Sequence, residues 1–211
     1  MRNLLYALAA VALASRATAQ AGAQRLPPAI EASVNRVADS ARARGLPTDP
    51  LFAKAAEGVL KDADSTRILD AVRGLARDLG VARQSLGICA SSAVLTAAAS
   101  ALHAGVTTAQ LSQLSKSAGD CRTSNRLVMP FVVLADLVAR KVSADVAVSS
   151  IESLVSHGAP DAQFADLRTS VERDIASGER PDAAARVRSA AVLKTLEPRP
   201  APRPPASPSP M

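Results

Sequence analysis

The chain has no tryptophan, one tyrosine and three phenylalanines. The tyrosine, Tyr6, falls within the first twenty residues. Platforms that stack sugars or bases need aromatic faces, so both classes of ligand are disfavoured. Histidine is nearly as scarce. His103 and His157 are the only two, with no second ligand at a metal spacing such as His-x-x-x-His. Cys89 and Cys121 are the only cysteines, and they lack the Cys-x-x-Cys spacing of a redox pair. Gly-x-Ser-x-Gly, Ser-x-x-Lys, a phosphate loop and a dinucleotide fingerprint are all missing. No run alternates apolar and polar residues long enough to suggest a strand. Past the N-terminus the most apolar run, Leu127 to Val138, is shorter than the roughly 20 residues a membrane helix needs and contains Asp136.

What is present begins with an address. Arg2 precedes a short apolar run from Leu4 to Ala14, and Ala17-Thr18-Ala19 stands before Gln20. A basic start, a short greasy middle and a small-residue site predict a secretory signal peptide over residues 1–19. The exported chain is expected in the periplasm or outside the cell, with no transmembrane helix left after cleavage. A short polar lead, 20–26, precedes one domain over 27–196. Residues 197–211 hold seven of the fourteen prolines and no apolar periodicity, which predicts a disordered Pro-rich tail.

Charge does not single out a polyanion as partner. The whole chain carries +6. Cleavage takes Arg2 and Arg16, leaving 23 basic residues against 19 acidic ones. Arginine and lysine are dispersed, whereas nucleic-acid binding wants a clustered basic face, so no nucleic-acid partner is expected.

The domain itself reads as all-α, with about eight amphipathic helices in irregular antiparallel hairpins. Ile30, Val34, Val37 and Ala41 recur at helical spacing after Pro27-Pro28, and Gly45 stops that helix. Phe52, Ala56 and Val59 form the stripe of a second helix capped at Thr48 or Asp49. Ile68, Val72, Leu75 and Leu79 mark a third, capped by Ser65 and stopped by Gly80, with 81–87 as a further short turn. Ser91 to Ala104 is an Ala-rich helix, and Thr107 with Gln110 is a capping-box pattern opening a short one. Leu127, Phe131, Leu134 and Val138, with Val128, Val132, Val133 and Leu137, are apolar on nearly all sides; such a helix belongs at the centre of a core. Pro130 must lie in its first turn or kink it. Ser143 caps the next helix, with Ala147, Ile151 and Leu154 inward. Phe164, Leu167, Val171 and Ile175 follow, then Ala184, Val187 and Ala191 in a last helix opened by Pro181.

Gly45-Leu46-Pro47, Gly105-Val106-Thr107, Lys141-Val142-Ser143 and Gly158-Ala159-Pro160 share one grammar: a stop, an apolar residue, a helix opener. Their intervals of 60, 36 and 17 residues keep no fixed period, so helical hairpins are expected rather than a regular solenoid.

Few residues invite chemistry. In an exported chain two cysteines are expected to pair, so Cys89 and Cys121 are assigned a structural disulfide. Asp62, Asp64, Ser65, Thr66 and Asp70 echo a calcium loop, but Arg67 and Arg73 occupy positions that need Gly and Glu. A helix N-terminus with acidic residues near the dipole is the simpler account. His103 and His157 stand at helix ends, where a ring nitrogen can meet terminal carbonyls. Asp136 and Arg140 read as an i,i+4 pair rather than an acid catalyst. No catalytic, cofactor-binding or metal-ligating residue is assigned. In the tail, Arg199-Pro-Ala-Pro202-Arg-Pro-Pro205 matches a proline-rich ligand spacing, for which a solvated spacer is the simpler account.

Gly45-Leu46-Pro47 with Glu57-Gly58-Val59-Leu60, and Val133-Leu134-Ala135-Asp136-Leu137-Val138, resemble pieces of exported all-helical proteins of GC-rich bacteria. The resemblance covers about half the chain and implies no activity. The expected role is thus a non-enzymatic protein-interaction or structural module with an unidentified protein partner. The alternatives are a small-molecule, lipid or peptide carrier with a helical cavity, suggested by the small residues of Ser91 to Ala104, and an enzyme whose residues are scattered in sequence.

Overall fold

The computed structural model describes residues 26–119 and 125–196. Residues 1–19, Cys121 and the segment 197–211 lie outside the described residues. Nine α-helices and no strand occur among those described, so the chain is all-α. They are α1 Pro28–Ala43, α2 Asp49–Leu60, α3 Ser65–Leu86, α4 Ser92–Ala104, α5 Thr108–Ser117, α6 Val128–Ala139, α7 Ala144–Ser156, α8 Asp161–Ala176 and α9 Pro181–Leu196.

The recurring three-residue grammar is a helix C-cap joined to the next N-cap. At Gly45, Gly105, Lys141 and Gly158 the backbone turns left-handed, with φ of 67°, 113°, 71° and 68°. The next amide then donates to the carbonyl five residues back: Leu46 to Ala41, Val106 to Ala101, Val142 to Leu137 and Ala159 to Leu154. This six-to-one bond satisfies a carbonyl that the helix end leaves orphaned. Leu46, Val106 and Val142 are buried beneath the turn. Two further turns obey the same rule without the sequence triplet. Asp62 sits at φ 51° ahead of Ala63, and Gly178 at φ 95° ahead of Glu179.

These turns fall into two series, and the helical hairpins expected from the shared grammar are present. Asp62, Gly105, Lys141 and Gly178 turn the chain inside the hairpins α2/α3, α4/α5, α6/α7 and α8/α9. The second helices of the last three hairpins open at Thr108, Ala144 and Pro181, 36 and 37 residues apart. Gly45 and Gly158 belong to connections between successive units; α3 opens at Ser65, 43 residues before Thr108, so the first hairpin does not share the spacing of the other three. In space α4 packs on α6 and α6 on α8, while α1, α3, α5, α7 and α9 form a second row. The hairpins therefore stack in two layers, each burying its apolar face against its neighbours.

α6 is central, as its composition demands. Pro130, Phe131, Val133, Leu134 and Leu137 are buried, and α4, α7 and α8 pack around it. Pro130 is the third residue of the helix, where a missing N–H costs nothing. Other details differ from expectation. Gly80 does not end α3, because Ala82 is fully buried and Leu86 extends the same stripe. Asp64, not Ser65, caps that helix, accepting from the Arg67 amide at 2.9 Å. The buried residues of α2 are Leu51 and Ala55, one position back from the expected stripe. Gly58 accounts for that rotation, since Ile68 of α3 lies where its Cβ would be. On α9, Ala184, Ala185 and Ser189 face inward and Val187 is 62% exposed, because small residues let α9 lie close on α7 and α8.

Polar seams fix the register of the stack. Gln110 of α5 donates to Asp145 of α7 at 2.8 Å, and Gln113 and Ser117 both donate to Glu152 at 2.7 Å. The expected capping box of Thr107 and Gln110 is formed. Ser143 occupies the N-cap of α7 without a side-chain cap bond; its N–H and hydroxyl donate to the Asp182 carboxylate of α9 at 2.7 and 2.9 Å. Those two bonds hold the Asp182 carboxyl below its ordinary range. Arg188 grips Asp174 with two bonds of 2.6 Å across the last hairpin, lowering the Asp174 carboxyl likewise. Arg83 ties three carbonyls together, those of Gly45, Ile88 and Ala90, and so locks the first turn to the end of α3.

Candidate functional site

The first hairpin breaks the stacking rule. α4 packs on α6 along one flank, but α2 leans on α3 and α1 and leaves the other flank of α4 open. A groove of about 680 Å³ lies between them. Asp49, Ala53 and Glu57 form one wall at i,i+4 spacing along α2, with Pro50 and Lys54 beside them. Ala71, Leu75 and Asp78 of α3 lie beneath, and Thr96, Ala99, Ser100 and His103 of α4 form the far wall. The Ala-rich character of α4 keeps that wall thin. A neighbouring depression of about 640 Å³ shares Asp49, Pro50, Thr96 and Ser100 and continues past Leu46 to Val128 and Val132 of α6. The two form one trough across the α2–α4–α6 layer.

Glu57 is held on its own helix by Lys54 at 3.0 Å and by Lys61. The Lys61 hydrogen bond, then the Lys54 hydrogen bond and charge, bring its carboxyl down to about 2. Across the groove, Asp78 Oδ2 lies 3.5 Å from Nδ1 of His103, whose side chain is 80% exposed.

Asp78, Ser100 and His103 are the residue types of a hydrolytic triad, yet they are not assembled as one. The Ser100 hydroxyl donates to the carbonyl of Thr96 at 3.2 Å, so its proton is committed to its own helix. A nucleophile needs its base within hydrogen-bond reach and oriented by a third group. The arrangement instead offers a shallow apolar floor with charged and hydroxyl groups at the rim, which suits binding. No known protein family, curated protein or solved structure matches this chain.

The residues singled out in the sequence are dispersed through the fold. His157 does what a helix-end histidine can do: its Nδ1 lies 2.7 Å from the Ser153 carbonyl. His103 instead turns to Asp78 on the neighbouring helix. Asp136 and Arg140 make a loose contact of 3.9 Å, and the stronger partners lie on α8, where Arg168 reaches Asp136 at 3.2 Å and Arg140 reaches Glu172 at 2.9 Å. Asp64 caps α3, as an acidic helix start should. Among the described residues no group of three or more His, Cys, Asp or Glu is placed to hold a metal ion. None of the described helices is long and apolar enough to cross a membrane. Cys89 stands in the exposed connection between α3 and α4. Sequence reading missed the groove because Asp49, Asp78, Thr96 and Ser100 sit on four different turns of three helices and share no motif.

Proposed function

We propose that this chain is an exported, non-enzymatic interaction module that binds an extended peptide in the trough beside α4. The observation that carries the reading is the open flank of α4, with its apolar floor, polar rim and continuation to α6. Stacked helical hairpins build extended binding surfaces of this kind. Export rests on the N-terminal pattern of residues 1–19, which places cleavage before Gln20. A disulfide between Cys89 and Cys121 goes with that address. It closes a loop of about 32 residues around α4 and α5, and so braces one wall of the trough. The tail 197–211 serves as a solvated spacer.

Panning a displayed peptide library tests the binding function. Ala53 is exposed on the α2 wall, and Ala53→Arg fills the groove without touching the core. Peptides selected by the wild-type protein should lose binding to that variant, while its thermal midpoint stays in place. Selection that never distinguishes the two proteins rejects the trough as the site. The floor of Ala71, Leu75 and Ala99 also suits a small apolar ligand. Solvent extraction of the native protein followed by mass spectrometry decides for that second reading if it returns one stoichiometric compound.

A further inference from the structure

We infer that the face shared by α1 and α3 is an anion site that takes a phosphate carrying more than one negative charge. The two helices pack side by side, and a groove of about 370 Å³ runs between them. Arg36 and Arg44 of α1 line one side, and Arg73 and Arg77 of α3 the other. Ser33 and Ser40 complete the rim, over a floor of Val37 and Ala76. The lining holds no carboxylate and shares no residue with the trough.

The acids of both helices do not balance these arginines. Asp39 pairs with Arg42, Asp64 with Arg67, and Asp78 turns to His103 of α4. Glu31 lies in the first turn of α1, roughly half a turn round the helix from Ser33. Asp70 alone reaches the cluster among the described residues, at 3.3 Å from Arg73. Arg36, Arg44 and Arg77 enter no ion pair among the described residues. Four guanidiniums against one carboxylate leave three positive charges in excess. The carbonyl end of α1 offsets part of this at Arg44, whose Nε donates to the Ser40 carbonyl at 3.2 Å.

Geometry favours phosphate over carboxylate. Each guanidinium presents a planar fork that fits two phosphate oxygens at once. Arg73 and Arg77 stand at i,i+4, a like-charge spacing whose repulsion a bound anion relieves. Ser33 Oγ accepts from Arg36 at 3.0 Å, which leaves its own proton to donate to an anion oxygen. Arg36 and Arg44 are two turns apart, about 12 Å along the helix. A monocarboxylate brings two oxygens and one charge, too few for three unpaired forks spread over that length. Linked phosphoryl groups supply both the oxygens and the reach.

Calorimetric titration of the mature full-length protein with inorganic tripolyphosphate at low salt tests the site. Binding should be saturable and should weaken as salt is raised. Arg36→Gln and Arg77→Gln should each weaken it about two- to five-fold, the range for an exposed charge pair, and the double variant by about the product. Arg77→Lys keeps the charge but loses the fork, and should bind more weakly than the wild type. Arg180→Gln, exposed between α8 and α9, should leave binding unchanged. Sedimentation with phosphatidylcholine vesicles, with and without phosphatidylglycerol, identifies the source of the phosphate. Co-sedimentation that requires phosphatidylglycerol and is lost in the double variant assigns a lipid headgroup; tripolyphosphate binding without co-sedimentation assigns a soluble phosphate. Citrate binding as tightly as tripolyphosphate overturns the choice of phosphate. The site itself is overturned if neither probe binds saturably, if the double variant binds like the wild type, or if Arg180→Gln weakens binding as much.

Discussion

Two glycines inside helices make a paired test of how the first hairpin is packed. Gly74 lies within α3, and a Cβ added there meets nothing nearer than Arg77 Nη2 at 3.8 Å. Gly74→Ala should stabilise the fold by about 0.8–1 kcal/mol, because alanine loses less backbone entropy on entering a helix. Gly58 lies within α2, and its Cβ would fall 2.6 Å from Ile68 Cγ1 and 3.3 Å from Cδ1. Cγ1 is bonded directly to the branched Cβ of a buried side chain, so it cannot swing aside as a flexible tip does. Overpacking of that kind costs about 1–3 kcal/mol. Set against the same helix-propensity gain, Gly58→Ala should destabilise by about 1 kcal/mol. The two variants then differ by about 2 kcal/mol, which for a domain of this size separates their midpoints by roughly 4–8 °C. Urea denaturation of both variants, with unchanged slope, provides the free energies. A cycle with Ile68→Ala should show positive coupling to Gly58→Ala alone, since it removes the atom that is struck. If Gly58→Ala stabilises as much as Gly74→Ala, then α2 does not lie this close to α3, and the position of the groove wall is wrong.

Other consequences follow from the turns, the charges and the covalent chemistry. Lys141 holds a left-handed φ of 71° that its Cβ disfavours, so Lys141→Gly should stabilise by about 0.5–1 kcal/mol in chemical denaturation, and a loss of stability refutes the cap. The folded Glu57 carboxyl is lowered to about 2 from 4.5, so its contribution is present above pH 4.5 and fades as pH falls toward 2. The carboxyl is partly exposed and the effect small; Glu57→Gln should flatten stability in that window, and an unchanged profile argues against the lysine pairs. If Cys89 and Cys121 are bonded, the mature protein should gain about 2 Da on reduction and lose up to about 3.7 kcal/mol; two free thiols in fresh protein refute the pairing. N-terminal peptide mapping by mass spectrometry of protein from the cell envelope should place the start at or near Gln20, and an intact Met1 argues against cleavage.

The helical content was legible because it is written locally. Apolar residues at helical spacing, with Ser, Thr or Pro near most starts and a glycine after several ends, mark the surrounding helices, and the uniformly apolar stretch from Leu127 to Val138 announced the central one. The capping box at Thr107 and Gln110 was readable for the same reason, as its partners are three residues apart. What failed were judgements that need a neighbour. Gly80 looks like a stop until Ala82 and Leu86 find a surface to pack on. Val187 looks inward until α9 approaches α7 and α8 through Ala184, Ala185 and Ser189.

The site lies wholly on the side of tertiary structure. From the sequence alone came an all-α chain, two cysteines, the expectation of an export signal and the absence of a catalytic motif. Each of those depends on composition or on residues within a few positions of one another. The trough depends on α2 settling against Ile68 through Gly58 while α4 turns its other flank to α6. Asp49, Asp78 and Ser100 meet there only because three helices with their own separate stripes were packed at one angle rather than another. Apolar periodicity says which face of each helix is buried; it does not say which polar faces are left to look at each other across a gap.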